Sequence, residues 1–332
     1  VISGDIIMYR LWSERPVPAK FTPLLSSVTV SCGAAGAPRE RVFDSVGDAQ
    51  AVIASSLSRY DGAFADRFPM VRVICRTGIG VDNVVVQEMT ARGVAVCNAP
   101  DAPTISTAEH AVTLMLAVVK HVKRADQAIR EGGQRDHFSE FRGEEVNGRT
   151  LGLVGFGRVG RRVAHVAQAL GMHVLVFDPA LSSDVVGSAA CEWVVRLEDL
   201  LARADVVSLH MPLSDATRNV INAERLSCMK PGAYLINTAR GGLVDMDALL
   251  AALESGRLGG VGLDVFPTEP PDPSLPLLHR SDVIATPHIA GATQASKDRL
   301  WQSAITQALQ ALRGERPPHL VNPEVWPHLR AV

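Results

Sequence analysis

Apolar residues fall along this chain in short continuous runs, with polar residues gathered between them. "VRVIC", "VAVCN", "TLGLVG", "HVLVFD", "DVVSLH", "GAYLIN", "VGLDVF" and "DVIATP" read as strands too uniformly apolar to keep one face wet. Between them the pattern changes to helical spacing, as in "VGRRVAHVAQALG" and "MDALLAALESG". Buried strands alternating with amphipathic helices predict an α/β chain of doubly wound parallel sheets covered on both faces. No internal repeat or low-complexity stretch interrupts this order.

One segment departs from the rhythm. "STAEHAVTLMLAVVKHVKRADQAIREGG" predicts a long helix near 106–131, with Ser106 or Thr107 as its cap and Gly132–Gly133 as its stop. Alternating β/α pattern lies on both sides of it, so it reads as a link between two lobes. The plain alternative is one large core helix.

Composition narrows the class. At 332 residues the chain is long for one domain and comfortable for two. Apolar residues make up 47% and aromatics 5%, which fills large aliphatic cores and argues against disorder. A net charge of −2 gives no attraction for nucleic acid or an anionic membrane, so neither is expected as a partner. No run is long enough to cross a bilayer, and the first residues lack a basic-then-apolar leader. Cys32, Cys75, Cys97, Cys191 and Cys228 are scattered, odd in number and without a CxxC pair. Neither a disulfide framework nor a metal site is expected, and a reducing cytoplasm is.

"TLGLVGFGRVGRRVAHVAQALGMHVLVFDPA" carries the most specific local signal. Gly155, Gly157 and Gly160 follow an apolar strand and open a helix, and a second strand ends in Asp178. Gly155 permits the tight turn, Gly157 lets backbone approach a pyrophosphate, and Gly160 allows close helix–strand packing. Phe156, Arg158 and Val159 complete the turn, whose helix N-terminus offers N–H groups to negative charge. A carboxylate at Asp178 accepts hydrogen bonds from the ribose of NAD and repels the 2′-phosphate of NADP. Pro179 and Ala180 follow it, where a phosphate would want Arg or Ser. NAD is the expected cofactor; the plain alternative makes Asp178 a turn residue.

Hydride transfer to a ketone needs a proton donor and a cation to hold an acidic substrate. Downstream of the nucleotide motif, "LINTARGGLVD" puts Arg240 just after a strand, before a glycine pair. "GLDVFPTEPP" puts Asp264 at a strand end and Glu269 in a proline-rich loop; "TPHIAG" puts His288 after another strand. A lone histidine on an apolar segment is ordinarily structural. Unlike polar groups at several strand ends, where doubly wound sheets bind ligands, are not what core packing produces.

These motifs, with "RTGIGVDN" and "STAEH", resemble the D-isomer-specific 2-hydroxyacid dehydrogenases, in particular the branch related to phosphoglycerate dehydrogenase. The resemblance runs from about Val71 to "LVNPEVW" and is weaker before that. It implies a flavodoxin-like substrate domain from residues 1–99 and 291–332. Inserted in it is a Rossmann-type NAD domain of residues 100–290, with the long helix joining the lobes. It also implies a homodimer.

Residue by residue, the resemblance makes Arg240 the group that grips the carboxylate and polarises the carbonyl, a role suited to a bidentate, permanently charged guanidinium. His288 matches the general acid/base, and Glu269 the carboxylate that holds its imidazole. Ile79 and Gly80 match a loop whose backbone N–H groups cup the substrate carboxylate; Arg76 is either added positive charge beside the substrate or a surface strand residue. Asp264 matches a residue near the nicotinamide amide. His210, Met211 and Pro212 of "HMPL", Thr217, Thr238, Ala239 and Gly291 match positions bordering the cofactor.

Departures bear on the substrate. The branch often carries a C-terminal regulatory extension, which is not expected after "LVNPEVW". It binds the substrate phosphate with basic residues, where "VIASSLSRYDG" offers Ser55 and Ser56, then Arg59. A 3-phosphoglycerate/phosphohydroxypyruvate enzyme and a glyoxylate/hydroxypyruvate reductase both stay open. So do a phosphite-type dehydrogenase on the same fold and an NAD(H)-sensing, corepressor-like binding protein. The expectation is an enzyme: an NAD-dependent oxidoreductase acting on a D-2-hydroxy acid.

Overall fold

Leu11 and Trp12 show how the first sheet is built. They are adjacent, both fully buried, and belong to cores on opposite faces of the strand that carries them. The computed structural model describes residues 9–33, 39–132, 136, 139 and 141–330. It divides into two compact units, Val1–Pro103 with Gln294–Val332, and Thr104–Thr293. The chain crosses between them at 103/104 and 293/294, where the family resemblance implies 99/100 and 290/291.

The first unit holds β1 (Tyr9–Ser13), β2 (Val28–Cys32), β3 (Ala51–Ala54), β4 (Val73–Arg76) and β5 (Ala95–Cys97). All pair in parallel in the order β2-β1-β3-β4-β5, the flavodoxin-like arrangement. Alternation along the strands sends Leu11, Ile53, Val73 and Cys75 to one face and Trp12, Val52, Ile74 and Val96 to the other. Among the helices of this unit are α1 (Gly62–Arg67), α2 (Val86–Ala91) and, after the second unit, α11 (Gln294–Leu312). Trp301, Ala304, Ile305 and Ala308 of α11 cover the first face. Phe64 and Phe68 beside Tyr60 cover the second.

The second unit opens with α3 (Thr104–Val119) and α4 (Val122–Glu131), then alternates strand and helix. Its strands are β6 (Thr150–Val154), β7 (His173–Phe177), β8 (Glu192–Trp193), β9 (Val206–Leu209), β10 (Ala233–Asn237), β11 (Leu258–Leu263) and β12 (Val283–Ala285). Its further helices are α5 (Arg158–Ala169), α6 (Ser183–Gly187), α7 (Leu197–Arg203), α8 (Ala223–Cys228), α9 (Met246–Glu254) and α10 (Pro276–His279). The strand order β12-β11-β10-β9-β6-β7-β8 is parallel throughout and contains the Rossmann order, reversing between β6 and β9. Two aliphatic cores lie one on each face.

The single long helix expected near 106–131 is two. His121 adopts the left-handed conformation (φ 55°), and α4 restarts at Val122. The cause lies outside the helix: the Val119 carbonyl accepts from the Glu144 N–H at 3.0 Å, so it is not left to accept from Lys123 as a continuing helix requires. Lys123 instead turns its ammonium onto the Arg280 and Val283 carbonyls, each at 2.8 Å. Gly132 ends α4 as expected; Gly133 lies outside the described residues. No helix of the described residues is long and apolar enough to cross a membrane. All five cysteines are free thiols.

Candidate active site

The glycine-rich turn sits at the end of β6, at the point where the strand order reverses. Gly155 has φ +100°, and a Cβ there would stand 2.6 Å from the His210 carbonyl oxygen. A Cβ at Gly160 would meet the Gly155 oxygen at 2.4 Å. At Gly157 the same test finds nothing within 4 Å. The first two glycines therefore close the turn on itself and on β9, while Gly157 borders open space. No side chain caps α5, whose first residue is Arg158. Phe156 is fully buried, Val159 packs beside the same core, and the Arg158 side chain is exposed.

Asp178, at the end of β7, holds this turn. Its Oδ2 accepts the Phe156 N–H and its Oδ1 the Ala180 N–H, at 2.8 and 2.9 Å. Pro179 and Ala180 are exposed beside it. After β9, His210 Nε2 lies 2.9 Å from Ser208 Oγ, and burial pulls its pKa from 6.5 to about 4, so the ring is neutral near pH 7. Thr217 Oγ1 donates to the Pro212 carbonyl at 2.8 Å and closes the loop after Met211. Thr238, just past β10, is 7% exposed, yet its hydroxyl oxygen has no hydrogen-bond partner. The open space at Gly157 and this orphaned hydroxyl fit a dinucleotide: residues 155–160 would hold the pyrophosphate, and Asp178 the ribose.

Arg240 follows β10 in a loop fixed by Asn237, which is 1% exposed. Asn237 Nδ2 donates to the Arg240 carbonyl at 2.9 Å, and its Oδ1 accepts the Ala239 N–H at 3.0 Å. The guanidinium donates from Nη1 to the Ala239 carbonyl at 2.7 Å. Gly241 packs onto the neighbouring loop so closely that a Cβ would stand 2.0 Å from the Phe266 carbonyl carbon. That contact sets the arginine loop against the segment leading to Glu269.

Glu269 bridges two loops. Its Oε1 accepts the Phe266 N–H at 3.1 Å and its Oε2 faces His288 Nδ1 at 2.7 Å. A hydrogen on Nδ1, donated to the carboxylate, leaves Nε2 as the nitrogen that gains and loses a proton. With side-chain exposures of 50% for His288 and 37% for Glu269, this histidine is not a core residue. Its backbone is left-handed (φ 56°), with its N–H on the Asp264 carbonyl at 2.7 Å.

Asp264 is fully buried beneath this loop. Its Oδ1 accepts from the Ile289 N–H and the Thr286 hydroxyl, and its Oδ2 from the Ala290 N–H, at 2.8, 2.6 and 2.8 Å. Its side chain thus shapes the loop that bears His288. Gly291, half-buried, follows the same loop.

Comparison with known proteins gives this arrangement its family. Residues 112–290 match the model of the D-isomer specific 2-hydroxyacid dehydrogenase, NAD binding domain. This chain belongs to the D-isomer-specific 2-hydroxyacid dehydrogenases. It is 38% identical to a glyoxylate reductase of Pyrococcus furiosus over 87% of each chain. It is 37% identical to the D-3-phosphoglycerate dehydrogenase of Methanocaldococcus jannaschii, over 95% of this chain and 60% of that one. The chain spans little more than half the length of the phosphoglycerate dehydrogenases it matches. Among solved structures it is similar to a D-lactate dehydrogenase of Aquifex aeolicus complexed with NAD and lactic acid. The TM-score is 0.81, with 29% identity over 94% of this chain and 98% of that one.

In this member of the family the second unit brings Arg240, Glu269 and His288 onto the loops after β10, β11 and β12. The remaining predicted residues lie in the first unit. Arg76 is 6% exposed at the end of β4, donating from Nε to the Gly80 carbonyl at 3.1 Å and from Nη1 to the Ala54 carbonyl at 3.2 Å. Asn98 Nδ2 donates to the Ile79 carbonyl at 2.8 Å. With those carbonyls held, the N–H groups of Ile79 and Gly80 have no partner among the described residues. Three further residues, Asn237, Thr286 and His110, shape these loops without a signal in the sequence. Each stands inside a quoted motif, but nothing in the string shows that Asn237 ties a loop or that His110 reaches Thr286. Among the described residues no cluster could hold a metal ion.

Proposed function

We propose that this protein interconverts a D-2-hydroxy acid and its 2-oxo acid with NAD(H). The observation that carries the reading is the 2.7 Å pairing of His288 Nδ1 with Glu269, which leaves Nε2 outward on a family NAD-binding unit. NAD(H), when bound, would supply the hydride chemistry. His288 Nε2–H gives the proton to the nascent alkoxide in reduction and takes it back in oxidation. Glu269 keeps the ring in one tautomer and stabilises the imidazolium, as an orienting carboxylate does for an acid/base histidine. Arg240 grips the carboxylate and polarises the carbonyl, so that charge developing on oxygen meets a fixed cation.

Cofactor contacts in this reading come from Gly155 to Gly160, Asp178, Pro179, His210 to Pro212, Thr217, Thr238, Ala239, Asp264 and Gly291. The N–H groups of Ile79 and Gly80 serve the substrate carboxylate, supported by their lack of partners within the first unit; Arg76 lends positive charge to that loop. A homodimer and a reducing, cytoplasmic setting belong to the same reading.

A second reading of the substrate rests on Glu14. This residue follows β1, is 6% exposed, and accepts the Ser55 N–H at 2.5 Å. β1 and β3 flank the reversal point of the first sheet, where doubly wound sheets take ligands, and a buried carboxylate there repels a phosphate. That favours an unphosphorylated acid such as glyoxylate or hydroxypyruvate over phosphohydroxypyruvate.

NADH oxidation against glyoxylate, pyruvate, hydroxypyruvate, phosphohydroxypyruvate and phenylpyruvate, with His288→Asn beside each, tests both. One His288-dependent substrate establishes the class, and its charge decides on the phosphate. No turnover, with NADH still bound, rejects the reading in favour of a phosphite-type donor or a cofactor-sensing binding protein.

A further inference from the structure

We infer that Ser106 and His110, one turn apart on α3, latch the segment 286–293 and thereby position His288. Neither touches the reacting atoms; both are positioning residues. The inference rests on the dehydrogenase reading for its activity readout alone.

The segment needs holding. A histidine in the left-handed region persists only where its surroundings fix it, and His288 is half-exposed with little packing of its own. Two side chains on one face of α3 reach the ends of its loop. Ser106 Oγ lies 2.7 Å from Thr293 Oγ1, and His110 Nε2 lies 3.0 Å from Thr286 Oγ1. Pinned at 286 and at 293, the loop between them has its central N–H groups gathered by Asp264.

Proton count orders the chain of bonds. The single Thr286 hydroxyl hydrogen goes to Asp264 Oδ1 at 2.6 Å; the Leu263 carbonyl, at 3.5 Å, is too far to compete. Thr286 then has only lone pairs left for His110, whose Nε2 must be the donor. The direction is His110 Nε2–H to Thr286 Oγ1, Thr286 Oγ1–H to Asp264, and Asp264 to the N–H groups of Ile289 and Ala290. His110 Nε2 also stands 3.5 Å from Asp264 Oδ1.

The latch distinguishes a donated N–H from mere bulk. His110→Leu removes the donor, and His110→Gln keeps one where Nε2 stood. We expect His110→Leu to lower kcat about tenfold or more while KM for the oxo acid and Kd for NADH stay within about twofold. Amide hydrogen exchange in residues 286–293 should speed up about tenfold in the same variant. His110→Gln should restore most of both. Thr286→Val should repeat the loss and Thr286→Ser should not, which keeps the test decisive should His110→Leu fail to fold. The double variant His110→Leu/Thr286→Val should be no worse than the worse single one, as expected for members of one chain.

Wild-type kcat and exchange in His110→Leu would overturn the latch, as would a Gln variant no better than Leu, which would make volume rather than the N–H the relevant property. Should the wild-type protein turn over no 2-oxo acid, the functional reading fails by itself. Exchange then decides the latch alone, and unchanged protection of 286–293 in His110→Leu rejects it.

Discussion

His288 Nδ1 and Glu269 Oε2 meet at 2.7 Å between the loops that follow β12 and β11, and both side chains remain substantially exposed. A hydrogen-bonded pair so open to water adds little to folding, because solvent competes for it and two side chains lose freedom to make it. Its geometry is better understood as orientation: the carboxylate fixes one ring nitrogen so that the other is presented. Activity and stability should therefore separate cleanly at these two positions.

For His288→Asn, 2-oxo acid reduction should fall about 10²–10⁴-fold, the ordinary worth of a placed proton donor. NADH affinity and thermal midpoint should stay close to wild type, since the side chain packs against no core. Steady-state kinetics beside NADH titration check this; unchanged turnover would remove His288 from the mechanism.

Glu269→Ala should act through the histidine. The ring loses its tautomer and direction, so kcat should drop about 10–100-fold with KM little changed. A purely raised KM would make Glu269 a substrate contact instead.

Asp178 has two duties. Besides facing the ribose in the proposed complex, it accepts the Phe156 and Ala180 N–H groups. Asp178→Ala should weaken the preference for NADH over NADPH and raise Kd for both by about tenfold, because the Phe156 N–H in the turn and the Ala180 N–H beside it lose their acceptor. Asp178→Asn, which keeps an acceptor oxygen, should lose preference with less loss of affinity. Binding titrations with both cofactors separate the two effects.

His210 links the site to acid sensitivity. Burial lowers its pKa from 6.5 to about 4, so between those values the unfolded chain binds a proton that the folded chain does not. Stability is then full above about pH 6.5 and declines as pH falls toward 4. The ring keeps some surface, so the loss from this group is about 2 kcal/mol. In His210→Asn the denaturation midpoint should fall less between pH 7 and pH 5 than in the wild-type chain. Parallel pH profiles would show that the ring is hydrated in both states.

Much of this arrangement was legible in the sequence because the chemistry sits at the ends of strands that declare themselves. β6, β7 and β9 to β12 are apolar on both faces, so "GFGRVG", "TARGG" and "TPHIAG" were bound to be turns beyond their carboxyl ends. The break at His121 was hidden, since neither Pro nor Gly marks it and its cause is a carbonyl captured by Glu144. β1 to β3 do not declare themselves in the same way, because 3-10 and irregular segments rather than amphipathic α-helices separate them. The resemblance makes Asp264 a cofactor neighbour. Its burial and four-way involvement with residues 286, 288, 289 and 290 depend on side-chain direction, which spacing does not convey.

Two glycines give opposite outcomes for the same substitution. At Gly241 an added methyl would stand 2.0 Å from the Phe266 carbonyl carbon and 2.3 Å from its oxygen, atoms of backbone that cannot rotate aside. Gly241→Ala should force apart the loops bearing Arg240 and Glu269, costing about 1–3 kcal/mol or more and most of the activity. At Gly157 nothing lies within 4 Å, so Gly157→Ala should leave the thermal midpoint nearly unchanged. In the proposed complex the methyl would intrude on the pyrophosphate, so NADH affinity should fall at least about tenfold. Thermal unfolding and NADH titration on the two variants form a crossed test. A Gly157→Ala protein that binds NADH normally would place the cofactor away from this turn, and a Gly241→Ala protein that melts and turns over normally would mean the two loops are not held by their contact.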